Sequence, residues 1–394
     1  MKKVFVLDAR RTAIVTANGR FKHIRPEVLG ASVISELRAD CLLDIPIDEL
    51  IMGNAVGTGG NLARLTTLIA GLDIPALTID MQCSSGAAAI SIGFAKIACG
   101  LADCVIVGGV ESASLQPLRV YHRNDPRHSQ SIADGIEGGY YTAQFSPESL
   151  SSTVMLEGAE RVARLENVSK RELDDWAIES HRRAARARDR LSDSLIPIDD
   201  WKIDNGIRDR IDYRLLDRAP LPLGEGTITS AGNACRINDG AAFAILISDD
   251  FKRRFELQPI AEILTAESSC GKPLESPRGA IITADFLLQK NNRSWEELRA
   301  IEFNEAFAVI DVIFERAHPE LLDRYNRLGG ALAYGHPYGA SGAVLLLHLI
   351  RSLEIAGGGL GLLSIAGAGG VGQAILIRNA ELGIRNAELG MRNG

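Results

Sequence analysis

The residues best placed to do chemistry in this chain are a cysteine and a histidine, each just ahead of a helix of small or apolar residues. Cys83 lies in Asp80-Met81-Gln82-Cys83-Ser84-Ser85-Gly86. It follows a short strand-like run, Leu77 to Ile79, and precedes Gly86 to Ala95, which reads as a buried helix. Unpaired N–H groups and the positive end of the helix dipole favour thiolate at such a junction, so a lowered pKa and a reactive nucleophile are expected. A free cysteine is also commonly just a small buried hydrophobe. What favours chemistry lies downstream. His336 sits in Gly335-His336-Pro337-Tyr338-Gly339-Ala340-Ser341-Gly342, ahead of an apolar helix from Ala343 to Leu353.

The elements around these two residues repeat. After the Cys83 helix comes a continuous apolar strand, Asp103 to Val107, closed by Gly108-Gly109-Val110-Glu111-Ser112. After the His336 helix comes the strand Gly361 to Ile365, closed by Ala366-Gly367-Ala368-Gly369-Gly370-Val371-Gly372. One supersecondary unit is written twice. Two such halves, with their helix starts facing one cleft, would bring Cys83 and His336 together.

Elsewhere the pattern alternates strand and helix: Val4 to Leu7, Pro26 to Arg38, Glu49 to Asn54, Gly60 to Ala70. The first half spans 1–114 and is completed by about 239–258. Residues 115–238, richer in arginine, aspartate, tyrosine and proline, read as an insertion with a helix around Lys170 to Arg190. The arginines from Arg182 to Arg190 invite a phosphate, but Asp189 interrupts them and a solvated helix face is the simpler reading. Asn238-Asp239-Gly240-Ala241-Ala242 reads as a turn that starts a helix or strand. The second half spans 259–378, and 379–394 is a tandem repeat of one heptad, expected as a mobile tail.

Composition narrows the function classes. With 394 residues, 46% hydrophobic and 24% charged, the chain can bury a large core. A net charge of -7 argues against a nucleic-acid binder. The first apolar run is broken by Asp8 and Arg10-Arg11 before a signal core forms, and no stretch has the length of a membrane span. Six scattered cysteines without CxxC or metal spacing fit reduced thiols in the cytoplasm, with no metal expected.

Taken together these motifs resemble the thiolase family, the acyltransferases that make or cleave 3-ketoacyl-CoA. The resemblance runs from Arg11-Thr12 through the Cys83 block, Ala231-Gly232-Asn233-Ala234, Asn238-Asp239-Gly240 and Asn304-Glu305-Ala306-Phe307 to the His336 block. It implies an α/β fold, duplicated and five-layered (α/β/α/β/α), with an inserted loop region that holds coenzyme A. It implies that Cys83 carries the acyl group and that His336 takes the thiol proton. Asn304, with a water, would join His336 in holding the thioester oxygen, and the Ala368 backbone N–H would complete a second oxyanion hole with that of Cys83. Met155, Ala231, Gly232, Cys235, Ala306 and Phe307 would contact the acyl-CoA. No permanent cofactor is implied, acyl-CoA and CoA being substrates of lipid metabolism, and the family's habit of assembly implies a homodimer or homotetramer.

The departures matter equally. The second cysteine of the family's last glycine-rich segment is Ala366 here, and alanine moves no proton. The serine after Ala-Gly-Asn-Ala is Cys235, the glycine after it is Arg236, the histidine before the loop methionine is Val154, and an oxyanion-hole glycine is Ala368. Three readings follow. Another base, such as Cys235 or Cys270, replaces the lost thiol. Or the enzyme transfers acyl groups or condenses decarboxylatively, as the related ketoacyl synthases do, and needs no second base. Or the chain is a scaffold subunit, against which stand the intact Cys83, His336 and Asn304. A nicotinamide dehydrogenase is set aside, because no GxGxxG follows the first strand.

Overall fold

In the computed structural model, residues 1–41, 45–57, 59–133, 139–141 and 153–379 are described; the heptad tail from 380 onward lies outside them. Nine strands form one hydrogen-bonded path: β1 Val4–Thr12, β2 Glu49–Gly53, β3 Ala76–Ile79, β4 Cys104–Glu111, β5 Asn238–Ser248, β6 Ala261–Cys270, β7 Leu298–Phe303, β8 Gly359–Ala366 and β9 Val371–Asn379. Their order is β3-β2-β4-β5-β1 in one half and β6-β9-β8-β7 in the other, the halves meeting where Val4–Val6 pair with Ala261–Ile263.

Each half repeats the other's ladder. β2 runs parallel to β4, β4 antiparallel to β5, and β5 antiparallel to β1. β7 runs parallel to β8, β8 antiparallel to β9, and β9 antiparallel to β6. The duplication read from the sequence is therefore a duplication of sheet topology. The run from Asn238 to Ala242 is not a turn but the first half of β5, buried throughout, with Asn238 and Asp239 paired to Thr16 and Val15 and Gly240 to Ala242 paired to Glu111 to Gly109.

Five layers follow from which faces are apolar. Helices α1 Pro26–Cys41 and α2 Leu62–Ile69 cover the outer face of the first half through Leu29, Val33, Leu37, Leu50, Phe243 and Ile245. Helices α5 Gly279–Lys290 and α6 Ala308–Ala317 cover that of the second through Leu287, Phe303, Phe314, Leu362 and Leu376. Between the sheets lie the two helices that follow the candidate residues, α3 Ser85–Ala98 and α7 Ser341–Ile355, in one core with Val105, Leu246, Leu363 and Ile375. A helix buried on both sides must be apolar all round, which explains Ala87-Ala88-Ala89-Ile90 and Val344 to Leu347. The helix of the insertion, α4 Lys170–Leu191, begins with a Ser169–Glu172 capping box. Of its arginines, Arg182 and Arg183 pair with Glu179 and Arg188 with Asp209.

Candidate active site

The chain turns sharply between β3 and α3. Gln82 takes φ of 53°, a left-handed conformation uncommon for a residue with a side chain. Asp80 Oδ1 accepts from the Gln82 N–H at 2.8 Å, Ser85 Oγ accepts from the Met81 N–H at 2.8 Å, and the Ser85 hydroxyl donates to the Gln82 carbonyl at 2.6 Å. Cys83 is thereby held just ahead of α3, with Ser84 as the capping residue. The Ser84 hydroxyl reaches the Ile365 carbonyl at the end of β8, 3.3 Å away. That contact brings the glycine-rich segment of the second half over the thiol, where the backbone N–H groups of Cys83 and Ala368 favour the thiolate.

Burial overrides these donors. The Cys83 thiol is pushed up to about 12, chiefly by desolvation, with Glu111 and Asp80 adding to the rise. The lowered pKa expected from the helix start is thus corrected: a dipole worth a fraction of an elementary charge cannot offset removal of the thiolate from water. At neutral pH the sulfur is therefore a protonated thiol.

His336 lines the same cavity as this thiol. Gly335, at φ of 104°, brings the chain against Asn238, whose Oδ1 would lie 2.0 Å from any Cβ there. The His336 N–H donates to the Arg236 carbonyl at 2.9 Å and to Asn238 Oδ1 at 3.1 Å. Its Nδ1 lies 2.6 Å from Ser341 Oγ, and its Nε2 is buried without a protein partner. Burial lowers its pKa to about 3, so the ring is neutral and able to take a proton.

Cys83 and His336 line one cavity of about 320 Å³, with Val56, Gln82, Thr153, Met155, Leu156, Ala234, Cys235, Ile237, Ala306, Phe307, Tyr338 and Ala368. One wall of this cavity is a strap. Ala234 bridges to Phe307, the Cys235 N–H donates to the Ala306 carbonyl at 2.9 Å, and Ile237 bridges to His336. Asn304 precedes this strap's partner loop. It is buried, its Nδ2 has no protein partner, and it does not itself line the cavity. Ala231 and Gly232 also lie outside the lining. Gly232 packs near Leu216 and Ala219, and the Ala231 N–H donates to the Pro220 carbonyl, so these two shape the loop behind Asn233.

Two positioning residues escaped the sequence reading. Ser341, inside the His336 block, orients the imidazole. Glu111, inside Gly108-Gly109-Val110-Glu111-Ser112, accepts from Asn54 Nδ2 and the N–H groups of Ala55, Val56 and Gly339, tying the first half to the His336 loop. A carboxylate ending a buried apolar strand was the available signal for it. Val56 carries none, since a lone valine in a loop has no distinguishing pattern. Among the described residues no cluster of His, Cys, Asp or Glu could hold a metal ion, and no helix is long and apolar enough to cross a membrane.

Comparison with known proteins agrees with this architecture. The model of the thiolase N-terminal domain matches residues 4–250 and that of the thiolase C-terminal domain residues 257–379. A Staphylococcus epidermidis protein named "Putative acetyl-CoA C-acetyltransferase VraB" is 32% identical over 95% of this chain and 98% of its own length. Its namesake in Staphylococcus aureus strain MSSA476 is 33% identical over 95% and 99%. Among solved structures, a thiolase of Ascaris suum in complex with coenzyme A superposes with a TM-score of 0.85 at 28% identity, covering 96% of this chain and all of that one. The acetyl-CoA acetyltransferase of Bacillus anthracis superposes with a TM-score of 0.85 at 27% identity, covering 96% and 99%.

Proposed function

The chain belongs to the thiolase family and is an acyltransferase, and we propose that it carries an acyl group from acyl-CoA as a thioester on Cys83, in forming or cleaving 3-ketoacyl-CoA. The observation that supports this most directly is the unpartnered Nε2 of His336 on the wall of the cavity that also exposes Cys83. A neutral imidazole beside a protonated thiol takes the proton as sulfur attacks the thioester carbonyl. The oxygen that becomes negative meets the N–H groups of Cys83 and Ala368, and the free Nδ2 of Asn304 serves, through a water, the oxygen of the second thioester. Met155, Leu156, Ala306 and Phe307 give the pantetheine arm an apolar channel. CoA enters as substrate, and a reducing compartment such as the cytoplasm keeps the thiols free. Leu65, Leu68, Ile69 and Leu77 are exposed around α2 and the edge strand β3, which supports assembly as a homodimer or homotetramer.

Intact-protein mass spectrometry after mixing with acetyl-CoA and longer acyl-CoAs tests the reading. An acyl adduct on the native chain that is absent from Cys83→Ala is expected; no adduct from any acyl-CoA sinks it. One observation favours a second reading. Ala366, where the family's second cysteine stands, is 3% exposed and offers a methyl group alone. A decarboxylative condensation makes its carbanion by losing carbon dioxide and uses no thiol there; product from malonyl-CoA but not from acetyl-CoA alone would select it.

A further inference from the structure

We propose that Cys235 is the second proton-carrying thiol of this cavity, doing from the strap that lines it what no group at position 366 can do. The inference rests on Cys83 being the acyl carrier.

Among the described lining residues, the side chains that titrate are Cys83, His336, Cys235 and Tyr338. His336 is, in this reading, the acceptor of the Cys83 proton. Burial drives both the Tyr338 phenol and the Cys235 thiol above their usual range, the thiol from the lower starting value, 9.0 against 10.0, and it is the Cys235 side that is tied by backbone hydrogen bonds to the loops around the nucleophile. Cys235 is held on both sides by catalytic loops, through its own N–H to Ala306 and through the neighbouring Arg236 carbonyl, which receives the His336 N–H. It lies within electrostatic reach of Cys83. Cys270, the other thiol considered, is exposed, points its Sγ at the Gly271 carbonyl 3.8 Å away, and does not line the cavity.

The protons balance over one cycle. In acylation the Cys83 proton passes to His336 Nε2, sulfur bonds to the acyl carbon, and the C–S bond to CoA breaks. The departing CoA sulfur takes the Cys235 proton and leaves as a thiol. Imidazolium and the Cys235 thiolate then face one cavity as a neutral pair. A second acyl-CoA enters, its α-carbon gives a proton to Cys235, and the electron pair forms the new C–C bond to the acyl carbon. The bond to Cys83 breaks, its sulfur recovers the proton held by His336, and 3-ketoacyl-CoA departs with every group restored.

The test reads the two half-reactions separately, in the full-length Cys235→Ser and Cys235→Ala chains. The native enzyme in deuterium oxide with acetyl-CoA should exchange α-hydrogens. Both variants should lose that exchange by roughly a hundred-fold or more, yet still reach the acylated mass on prolonged incubation. Serine keeps the size and hydrogen bonding of the site and should leave KM for acetyl-CoA near native while kcat falls. Exchange at the native rate in either acylated variant overturns the proposal and leaves the Cys83 reading standing, as does a native enzyme that acylates but exchanges nothing. Failure of the native chain to acylate at all strikes the Cys83 reading instead.

Discussion

His336 and Ser341 are joined at 2.6 Å through Nδ1 and Oγ, inside a protein interior that leaves the other ring nitrogen free. The serine is also the first residue of α7, so the same residue begins the helix and fixes the ring. Ser341→Ala leaves Nδ1 buried without a partner, a loss of about 1–3 kcal/mol. If that loss falls on the transition state, Cys83 acylation slows roughly 5- to 150-fold. Rapid-quench mass spectrometry measures it. In a His336→Ala background the serine substitution should add nothing, which distinguishes orientation of the ring from a general weakening of the loop.

The resting state makes a prediction about pH. His336 is held down to about 3, so its base form is present everywhere above that; Cys83 is held up to about 12, so its thiol is present everywhere below that. Acylation should therefore be nearly flat from pH 5 to 9. A preformed thiolate–imidazolium pair would instead give a limb inside this range. Glu111, pushed up to about 7 by burial, does titrate there and bears on the thiol. A shallow step that disappears in Glu111→Gln belongs to that carboxyl, and a steep one that survives it contradicts the neutral pair.

How much of this was legible follows from what kind of information each feature carries. The two helices of the middle layer were read from runs of small apolar residues, and their duplication from the repeated order of helix, strand and glycines, because periodicity and punctuation are local. Cys83 and His336 were read because each stands at the start of a helix. The state of Cys83 was misread, since a local signal reports the helix dipole while burial is set by the opposite half of the chain. Asn238 to Ala242 looked like a turn because Asn-Asp-Gly usually is one; only the flanking strands make it extended. Glu111 acts across the fold, 228 residues from Gly339, and Ser341 acts through a loop that folds back on itself, 5 residues from His336. No spacing rule finds such pairs.

Buried carboxyls away from the cavity give a stability prediction. Glu302 is pushed up to about 8 by burial; the Ser352 hydroxyl donates to its Oε1 at 2.6 Å while Oε2 has no partner, the arrangement of a protonated acid. A raised carboxyl favours the folded state fully below the unfolded value near 4.5 and loses that contribution as pH climbs through 8. The loss is on the order of 5 kcal/mol. Glu302→Gln, neutral at all pH, should be less sensitive. Urea midpoints at pH 5 and pH 8.5 should fall further apart in the native chain than in the variant; equal spacing would falsify the assignment.

The meeting of the two halves depends on glycines that touch. A Cβ at Gly342 would sit 2.1 Å from the Ala87 nitrogen and 2.7 Å from its Cα, and one at Gly86 would sit 2.6 Å from the Gly339 carbonyl oxygen. These are backbone atoms that cannot swing aside, so α3 and α7 approach at their first turns only because both positions lack a side chain. Cys83 and His336 stand just ahead of those turns. Gly342→Ala must push them apart by about an ångström, a displacement that costs on the order of a hundred-fold in a reaction needing near-contact geometry. Stability should fall by about 1–3 kcal/mol, as expected of overpacking. Gly357 supplies the control: it has open space where a Cβ would go, but at φ of 83° alanine is strained there too. Gly357→Ala should therefore lose stability while keeping acylation, and Gly342→Ala should lose both. A Gly342→Ala enzyme that acylates Cys83 at the native rate would mean that the helix contact is a packing feature and that His336 reaches the thiol without it.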